Sequence, residues 1–281
     1  MRLLVSKHSV GKWAAYYIYK KIIEFKPTIA KPFILGLPTG TTPIEMYQEL
    51  IKLYQDNKLS FKHVISFNMD EYVGLPKEHP QSYHHYMHNN FFDHIDINHN
   101  NIYILDGNAS NLELECKKFE ENILQSGGLD LIVGGVGEDG HIAFNEPGSS
   151  LTSLTRVKRL NYNTILANSR FFNNNISQTP SLALTMGIKT ILDAKDIVIL
   201  AKGVKKASAV ANAIEGAVSG MYPITALQMH NKVVIVCDEF ATYNLKVRTV
   251  RYFEDIKDEY SLIGDNIDSF SCGLETSKWL I

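Results

Sequence analysis

Short runs of apolar residues alternate along this chain with longer stretches in which apolar residues recur every three or four positions. The short runs are typical of buried strands, and the longer stretches are typical of helices with one apolar face. Apolar strands separated by helices indicate a parallel sheet that is covered on both faces. We therefore predict an α/β fold with an open, mostly parallel, doubly wound sheet. The predicted strands are residues 33–37, 64–67, 102–105, 129–133, 197–201 and 233–237.

Helices are predicted after most of these strands. Stretches with helical spacing lie at residues 43–55, 112–123, 205–218 and 238–245. No linker rich in proline, serine or glycine divides the chain, so we expect a single domain over residues 1–260 and a C-terminal tail over residues 261–281. The asparagine-rich segment at residues 168–180 interrupts the alternation, and we interpret it either as a lid over a ligand site or as a solvated loop.

The charge balance is close to neutral. The 281 residues include 28 lysines and arginines and 30 aspartates and glutamates, a net charge of −2. This balance provides no field that would hold nucleic acid or an anionic membrane. The chain shows no signal-peptide pattern and no apolar run of membrane-spanning length, and Cys116, Cys237 and Cys272 lack the spacing of a disulfide framework or a zinc site. We expect a cytoplasmic protein without a nucleic-acid or membrane partner.

Unusual segments follow the predicted strands, and this is where open parallel sheets bind ligands. In LGLPTGTTP, at residues 35–43, a strand ends in a glycine turn and a helix begins near a proline. Backbone N–H groups and hydroxyls at a helix start bind anions. The candidates for binding one phosphate are Thr39, Gly40, Thr41 and Thr42. The alternative is a capping box formed by Thr42 and Glu45, which would only stabilise the helix.

Ionisable side chains follow two further strands. FNMDEYVGLP places Asp70 and Glu71 directly after the second strand, where a carboxylate is a candidate general base. GGVGEDGHIAFNEPGSS has four glycines among its first seven residues, together with Asp139, His141 and Glu146. A carboxylate beside a histidine fixes its tautomer and raises its basicity, which produces a proton shuttle near neutral pH. The alternative is a glycine turn with surface charges. No metal is expected, because no second histidine lies at helical spacing.

Basic residues are candidates to complete an anion site. Arg170 lies in the asparagine-rich segment, and Lys202, Lys205 and Lys206 follow the fifth strand. Each would bind phosphate through charge-assisted hydrogen bonds, and the alternative for each is a solvated surface. Six histidines lie within residues 79–99 without partner cysteines. We interpret them as surface or packing residues rather than as metal ligands.

Four segments in the same order resemble the glucosamine-6-phosphate deaminase family: LGLPTGTTP, FNMDEYVGLP, GHIAFNEPGSSL and ANSRFF. The resemblance extends from GKWAA near the start to LKVRTVRYF near the end. It implies a Rossmann-like fold and the conversion of glucosamine 6-phosphate and water to fructose 6-phosphate and ammonia, a step of amino-sugar catabolism. It also implies no cofactor, a homo-oligomer that is a hexamer in many members, and activation by N-acetylglucosamine 6-phosphate in several.

The resemblance assigns roles to individual residues. It makes Asp70 the base that moves a proton from C2 to C1, and it makes His141 the group that opens the sugar ring with the help of Asp139 and Glu146. The implied phosphate ligands are Thr41, Thr42, Arg170 and Lys206, beside Thr39 and Gly40. The implied activator ligands are Ser149, Arg156, Lys158 and Tyr252, with Ser150 beside them.

This chain departs from the family pattern mainly near the implied activator residues. Leu154 stands where an arginine is usual, and Arg159 stands where a threonine is usual. Thr41 replaces the glycine or serine of many members. The implied catalytic positions match the family. We therefore predict deamination together with a retained but altered response to the activator.

Two other functions are compatible with a sugar-phosphate site. A 6-phosphogluconolactonase would use a similar phosphate site and a glycine-rich histidine loop, but it needs no base at C2, so Asp70 disfavours it. A non-catalytic sugar-phosphate sensor could lose its proton-transfer groups. All four candidate groups are present in this sequence, which disfavours a sensor; they are Asp70, Asp139, His141 and Glu146.

Overall fold

The structure, a computed structural model, describes residues 1–271. Its strands are β1 (Arg2–Val5), β2 (Phe33–Leu37), β3 (Val64–Asn68), β4 (Asp70–Tyr72), β5 (Ile102–Tyr103), β6 (Leu131–Gly135), β7 (Arg156–Arg159), β8 (Leu182–Thr185), β9 (Ile197–Ala201) and β10 (Val233–Cys237). Its helices are α1 (Val10–Phe25), α2 (Ile44–Gln55), α3 (Tyr83–Asn90), α4 (Leu112–Gln125), α5 (Tyr162–Ser169), α6 (Ile188–Leu192), α7 (Ala207–Glu215), α8 (Val247–Glu254) and α9 (Glu259–Ser271).

Seven strands form one parallel sheet in the order β1-β10-β9-β6-β2-β3-β5. This arrangement confirms the predicted α/β class with a mostly parallel sheet. The strands predicted at residues 33–37, 197–201 and 233–237 are found with the same limits, whereas β6 begins two residues later than predicted. β1 was not predicted, because its four residues begin with an arginine and are too few to show a pattern.

Both faces of the large sheet are buried. Alternate residues of a strand point to opposite faces, as β9 shows. Val198 and Leu200 pack into the core formed with α1 and α2, while Ile197 and Ile199 pack into the core formed with α4 and α7. Because both sets are apolar, the strand reads as an uninterrupted apolar run in the sequence.

A second sheet of three antiparallel strands, β4-β8-β7, lies beside the first. The apolar pattern did not predict it, because β4 has only three residues and β7 reads RVKR with no buried position. The small sheet matters for function because Asp70 opens β4, and only Met69 separates it from the end of β3 at Asn68. The chain therefore passes from the large sheet to the small one beside a candidate base.

The prediction of a helix over residues 238–245 is wrong. Only one 3-10 turn, Glu239–Thr242, forms there. Asp238 explains the tight turn, because its carboxylate accepts hydrogen bonds from the N–H groups of Gly203 and Ala241 and so holds the chain against the loop that follows β9. In the same way, the helix predicted from residue 205 begins as a 3-10 turn, Val204–Lys206, before α7.

The predicted tail begins inside α9. Ile263 and Ile267 of this helix are buried in the core, and Trp13 Nε1 donates a hydrogen bond to the carbonyl oxygen of Tyr260 at 3.1 Å. Residues 272–281, which include Cys272, Trp279 and Leu280, lie outside the described residues. The division into a domain over residues 1–260 and a tail therefore stays a prediction.

Two expectations about chemistry concern the described residues. Cys116 and Cys237 are free and buried, as expected of cysteines that act as small apolar side chains. Across residues 1–271, no helix combines the length and apolar character needed to cross a membrane.

Candidate active site

A cavity of about 930 Å³ opens at the carboxyl ends of the parallel strands. It lies between the loops that follow β2 and β6, neighbouring strands from which the chain continues to opposite sides of the sheet. Doubly wound sheets bind ligands at such a topological switch point. Nine of the ten predicted catalytic and phosphate-binding residues line the cavity, and Glu146 does not. The nine are Thr39, Gly40, Thr41, Thr42, Asp70, Asp139, His141, Arg170 and Lys206.

The loop after β2 forms one wall of the cavity. Gly40 has a φ of +101°, which L-residues rarely adopt, and its carbonyl oxygen accepts a hydrogen bond of 2.5 Å from Tyr86 Oη. The N-cap residue of α2 is Pro43, and no side chain caps this helix. The capping box of Thr42 and Glu45 is therefore not formed. The first N–H groups of α2 have no side-chain cap and lie next to the cavity, which suits a phosphate.

Asp70 and Glu71 face different surroundings, because adjacent residues of a strand point in opposite directions. Asp70 lines the cavity. Glu71 accepts hydrogen bonds from the backbone N–H groups of Tyr72, Tyr83 and His84 at 2.7, 2.9 and 2.8 Å. A carboxylate at the start of α3 is favoured by the helix dipole. Glu71 thus fixes α3, and Asp70 is the carboxylate available to a ligand.

The Asp70 carboxyl is held in apolar surroundings. Only 7% of the residue is exposed, and burial followed by the nearby charge of Glu71 raises its pKa to about 8. The rings of Tyr72 and Phe144, 5.5 Å apart, belong to a small aromatic cluster beside the cavity. A carboxyl group with a pKa near the working pH can both accept and return a proton. This is the requirement for a group that carries a proton between two carbons.

The raised pKa predicts how Asp70 affects stability. The folded chain holds the Asp70 proton more tightly than the unfolded chain does. The bound proton therefore stabilises the fold fully below about pH 4, and this contribution to stability is lost as the pH rises through about 8. Asparagine at this position cannot ionise. We expect the variant Asp70→Asn to match the wild type near pH 4 and to exceed its free energy of unfolding by a few kcal/mol, in order of magnitude, above pH 8. Urea denaturation at both pH values would measure this, and a variant that is less stable at high pH would contradict it.

His141 and Asp139 form a contact pair on the opposite wall. His141 Nδ1 lies 2.6 Å from Asp139 Oδ1, and the same oxygen accepts the His141 backbone N–H at 3.2 Å. Burial raises the pKa of Asp139, but its hydrogen bonds and attraction to His141 outweigh this and lower the pKa overall. The ionised carboxylate accepts the Nδ1 hydrogen, so Nε2 of the neutral ring is left as the base.

Gly137 is required for this pair. A Cβ atom at this position would lie 2.2 Å from Nδ1 and Cε1 of the His141 ring, which is impossible without moving the ring. The Gly137 N–H donates a hydrogen bond to the His141 carbonyl oxygen at 2.9 Å, which closes the turn. The glycine-rich sequence after β6 therefore allows the imidazole to approach the backbone closely.

Two of the predicted phosphate-binding cations, Lys206 and Arg170, line the cavity. Lys206 is half-buried, and its burial lowers its pKa, while Glu138 and Asp139 act in the opposite direction. Arg170 is exposed, and its guanidinium lies 4.7 Å from the centre of the Phe171 ring. Lys205 also lines the cavity, whereas Lys202 does not. The structure thus separates Lys202 from Lys205 and from Lys206, the lysine that the family resemblance implies as a phosphate ligand.

The segment that borders the open side of the cavity begins earlier than the predicted lid. Its lining residues are Asn161, Asn163, Thr164, Ala167, Asn168, Arg170 and Phe171. Most of them belong to α5 and the turn Arg170–Phe172. From the predicted lid at residues 168–180, only the first few residues reach the cavity, because the chain turns away at Asn173 and Asn174, both of which have a positive φ.

Glu146 lies beneath this segment rather than in the cavity. It is 3% exposed, and its carboxylate accepts hydrogen bonds from the Asn161 N–H at 3.0 Å and Thr164 Oγ1 at 2.6 Å. Lys158 Nζ lies 3.8 Å away. These contacts hold the start of α5, so any help that Glu146 gives to His141 would be indirect. Its direct catalytic role stays a prediction.

The implied activator residues do not line the cavity. Arg156 Nη1 donates a hydrogen bond to Asn145 Oδ1 at 2.9 Å, and the Ser149 hydroxyl is buried with no hydrogen-bond partner among the described residues. Ser150 is exposed beside them. Tyr252 is exposed on α8, which packs against β1 at the far edge of the large sheet. The structure therefore places four of the five candidates on β7 and the loop before it, and Tyr252 on a different element.

Several cavity residues were missed in the sequence. Tyr83 and Phe144 line the cavity with their rings stacked 6.1 Å apart, and they enclose the Asp70 end. Asn161 also lines the cavity and caps α5 by accepting the Thr164 N–H. The signal for Tyr83 was its place one residue after a serine N-cap. Nothing in the local pattern indicated that α3 faces the phosphate loop.

A family model described as glucosamine-6-phosphate isomerases/6-phosphogluconolactonase matches residues 9–236. A glucosamine-6-phosphate deaminase of Mannheimia succiniciproducens is 56% identical over 259 residues, which are 92% of this chain and 97% of that protein. One of Porphyromonas gingivalis is also 56% identical, over 92% of this chain and 98% of that protein.

A solved structure with a fold similar to that of this chain is described as a monomeric glucosamine-6-phosphate deaminase. It is 40% identical to this chain, with a TM-score of 0.82, and the match covers 87% of this chain and all of that one. The match in fold therefore accompanies a match in sequence over most of both chains.

Proposed function

Because this chain belongs to the glucosamine-6-phosphate isomerase/6-phosphogluconolactonase family, we propose that it converts glucosamine 6-phosphate and water to fructose 6-phosphate and ammonia. The observation that carries the proposal is a buried carboxyl, Asp70, facing the same cavity as the His141–Asp139 pair and a phosphate loop. These are the parts that an aldose–ketose isomerisation of an anchored sugar needs. The reaction is a step of amino-sugar catabolism.

Phosphate binding anchors the substrate at one end. Thr41 and Thr42 supply hydroxyls and backbone N–H groups at the start of α2, and Arg170 and Lys206 supply positive charge. Binding energy from the phosphate, which does not react, then positions the sugar carbons against the catalytic groups. Thr39 and Gly40 complete the loop.

His141 opens the sugar ring. Its Nε2 removes the proton of the anomeric hydroxyl and returns a proton to the ring oxygen as the C1–O5 bond breaks, which produces the open-chain aldehyde. Asp139 holds the imidazole and stabilises its protonated form through the 2.6 Å contact. The aldehyde makes the hydrogen on C2 acidic, which the closed ring does not.

Asp70 then moves the proton along the chain of carbons. It removes the proton from C2, and the electrons form the C1–C2 double bond of an enolamine. It returns the proton to C1 while the nitrogen lone pair forms the C2=N bond, and one amino proton passes to O1, which leaves an imine at C2 and a hydroxyl at C1. Water adds to the imine, and ammonia leaves. Oxidation states balance within the sugar, because C1 is reduced as C2 is oxidised.

A direct assay tests this function. The purified protein should release equal amounts of ammonia and fructose 6-phosphate from glucosamine 6-phosphate. The lactone 6-phosphogluconolactone is the control substrate, because a lactonase would hydrolyse it and release no ammonia. Turnover of the lactone alone would refute the proposal, and binding of the amino sugar without turnover would favour a sensor.

The phosphate site makes a prediction about affinity. The variant Lys206→Met should raise KM for glucosamine 6-phosphate by about 10- to 100-fold, because it removes one charge-assisted hydrogen bond, and it should change kcat much less. The matched control is Lys202→Met, which alters a lysine of the same loop that does not line the cavity. Steady-state kinetics of both variants would measure the difference. Equal KM values would remove Lys206 from the phosphate site.

Oligomerisation is the second part of the proposal. Exposed apolar side chains gather in the chain segment after β10, namely Phe240, Tyr243, Val247 and Tyr252. Exposed apolar side chains that lie together are typical of a protein interface. We propose a homo-oligomer, a hexamer by family resemblance, although the structural relative described above is a monomer. Light scattering during gel filtration would give the mass, and a single-chain mass would refute it.

Activation by N-acetylglucosamine 6-phosphate is the third part. Ser149, Ser150, Arg156 and Lys158 lie near one another along the chain and offer hydroxyls and positive charge. Tyr252 lies on α8, so it would join them from a neighbouring subunit. With Leu154 and Arg159 beside the site, the response should be altered but present. An identical substrate saturation curve with and without the activator would exclude it.

A further inference from the structure

A cluster of ligand-bearing side chains lies beyond the cavity, at the far end of α3. His88 is in the last turn of this helix, Asp93 is in the 3-10 turn Phe92–His94, and His99 begins the 3-10 turn His99–Asn101. One ligand atom from each residue lies within 4.8 Å of the other two. We propose that His88, Asp93 and His99 form a binding site for a zinc ion.

The donor set selects the class of metal. Two imidazole nitrogens and one carboxylate oxygen suit zinc, which binds histidine and aspartate with four ligands, here completed by water. Magnesium and calcium prefer oxygen ligands and would gain little from two imidazoles. Neither thiolate of the described part of the chain is nearby, because Cys116 and Cys237 are buried elsewhere in the core.

The geometry requires only side-chain adjustment. Zinc bonds of about 2.0–2.1 Å place tetrahedral ligand atoms roughly 3.3 Å apart. His88 Nδ1 and Asp93 Oδ1 are 2.7 Å apart, slightly closer than this, while the widest pair in the cluster falls within 4.8 Å. His88 is held by ring contacts with His84 at 4.6 Å and Phe92 at 5.7 Å. Asp93 and His99 are exposed, so their side chains can move towards the ion.

Zinc would join side chains from three segments, namely α3, the turn Phe92–His94 and the turn His99–Asn101. α3 also carries Tyr86, whose hydroxyl binds the Gly40 carbonyl oxygen of the phosphate loop. An ion at the end of α3 would therefore fix this helix to the turn that leads into β5, at a distance from the chemistry. Its expected role is stabilisation of the fold, and it takes no part in the reaction.

The ligand spacing explains why the histidine-rich sequence did not indicate a metal. The intervals from His88 to Asp93 and from Asp93 to His99 are five and six residues. Neither interval places two ligands on one helical face, and three separate turns are needed to bring the side chains together. The sequence led us to interpret all the histidines in residues 79–99 as surface or packing residues, and the proposal changes that interpretation for two of them.

The experiment is a metal titration of the full chain after treatment with a chelator. Calorimetry with Zn²⁺ alone should show one saturable site, and Co²⁺ in the same site should give the visible absorption of a tetrahedral or five-coordinate complex. Zn²⁺ at about 100 times its Kd should raise the Tm by about 5 °C. Mg²⁺ should have no such effect.

The variants His99→Ala and Asp93→Asn should each weaken zinc binding by at least about 10- to 100-fold. Losing a residue that only supports a metal ligand already weakens binding by this factor, and these variants lose a ligand itself. Both residues are exposed, so the fold should be kept, which circular dichroism would check. The matched control is His94→Ala, which removes an exposed histidine of the same turn that is outside the cluster. Zinc binding that is absent from the wild type, or equal in the wild type and both variants, would overturn the proposal.

Discussion

Replacing Asp70 by asparagine is expected to lower kcat for ammonia release by about 100- to 10,000-fold, the range that a positioned acid–base group contributes. Asparagine has the same shape but cannot accept the C2 proton at any pH. The phosphate loop and the cations are unchanged, so binding of sugar phosphate should be retained. Ammonia release measured beside fluorescence or calorimetric binding of a sugar phosphate would separate the two effects.

A second measurement identifies the step that is lost. In heavy water the wild type should place deuterium at C1 of fructose 6-phosphate, because the carboxyl that carries the proton can exchange with solvent, and the variant should not. The matched control is Asp193→Asn, the same chemical change at an exposed aspartate that pairs with Lys189 on the surface. Full turnover by Asp70→Asn would show that another group removes the C2 proton.

Replacing His141 by glutamine should lower turnover of cyclic glucosamine 6-phosphate by about 100-fold or more. Glutamine can accept the hydrogen bonds of the site but cannot shuttle a proton near neutral pH. The variant would then depend on substrate that opens in solution. At high enzyme concentration its rate should therefore reach the rate of spontaneous ring opening and rise no further, whereas the wild-type rate should keep rising with enzyme concentration.

This ceiling distinguishes a ring-opening role from a merely structural one. A damaged site would have a low rate that stays proportional to enzyme concentration. The matched control is His63→Gln, because His63 lies just before β3 at the amino ends of the strands, opposite the cavity. A His141→Gln rate that stays proportional to enzyme concentration, beyond the spontaneous opening rate, would assign ring opening to another group.

The two predictions depend on residues that the sequence could identify for different reasons. His141 and Asp139 are two positions apart, and the turn closed by Gly137 and Gly140 brings their side chains together locally. The residue pattern alone left Asp70 beside Glu71 as an equal candidate, and the family resemblance favoured Asp70. Only the pairing of β4 with β8, and the packing of α3 against Glu71, decided which carboxylate faces the cavity.

The sequence by itself determined the large sheet, because each of its central strands is an apolar run that can be stable only when it is buried on both faces. It also determined that the loops after β2, β3, β6 and β9 meet at one edge of the sheet, since parallel strands bring their carboxyl ends together there. Eight of the predicted catalytic and phosphate residues line the cavity for this reason, and a ninth, Arg170, reaches it from the turn after α5.

The tertiary structure decided what depends on contacts between distant segments. It placed Glu146 under α5 instead of in the cavity, separated Lys206 from Lys202, and gathered His88, Asp93 and His99 from three turns. It also revealed the small sheet, in which β4 pairs with β8 across more than a hundred residues and β7 reads RVKR without an apolar pattern. Hydrophobic periodicity reports which face of an element is buried, but it does not report which other element covers that face.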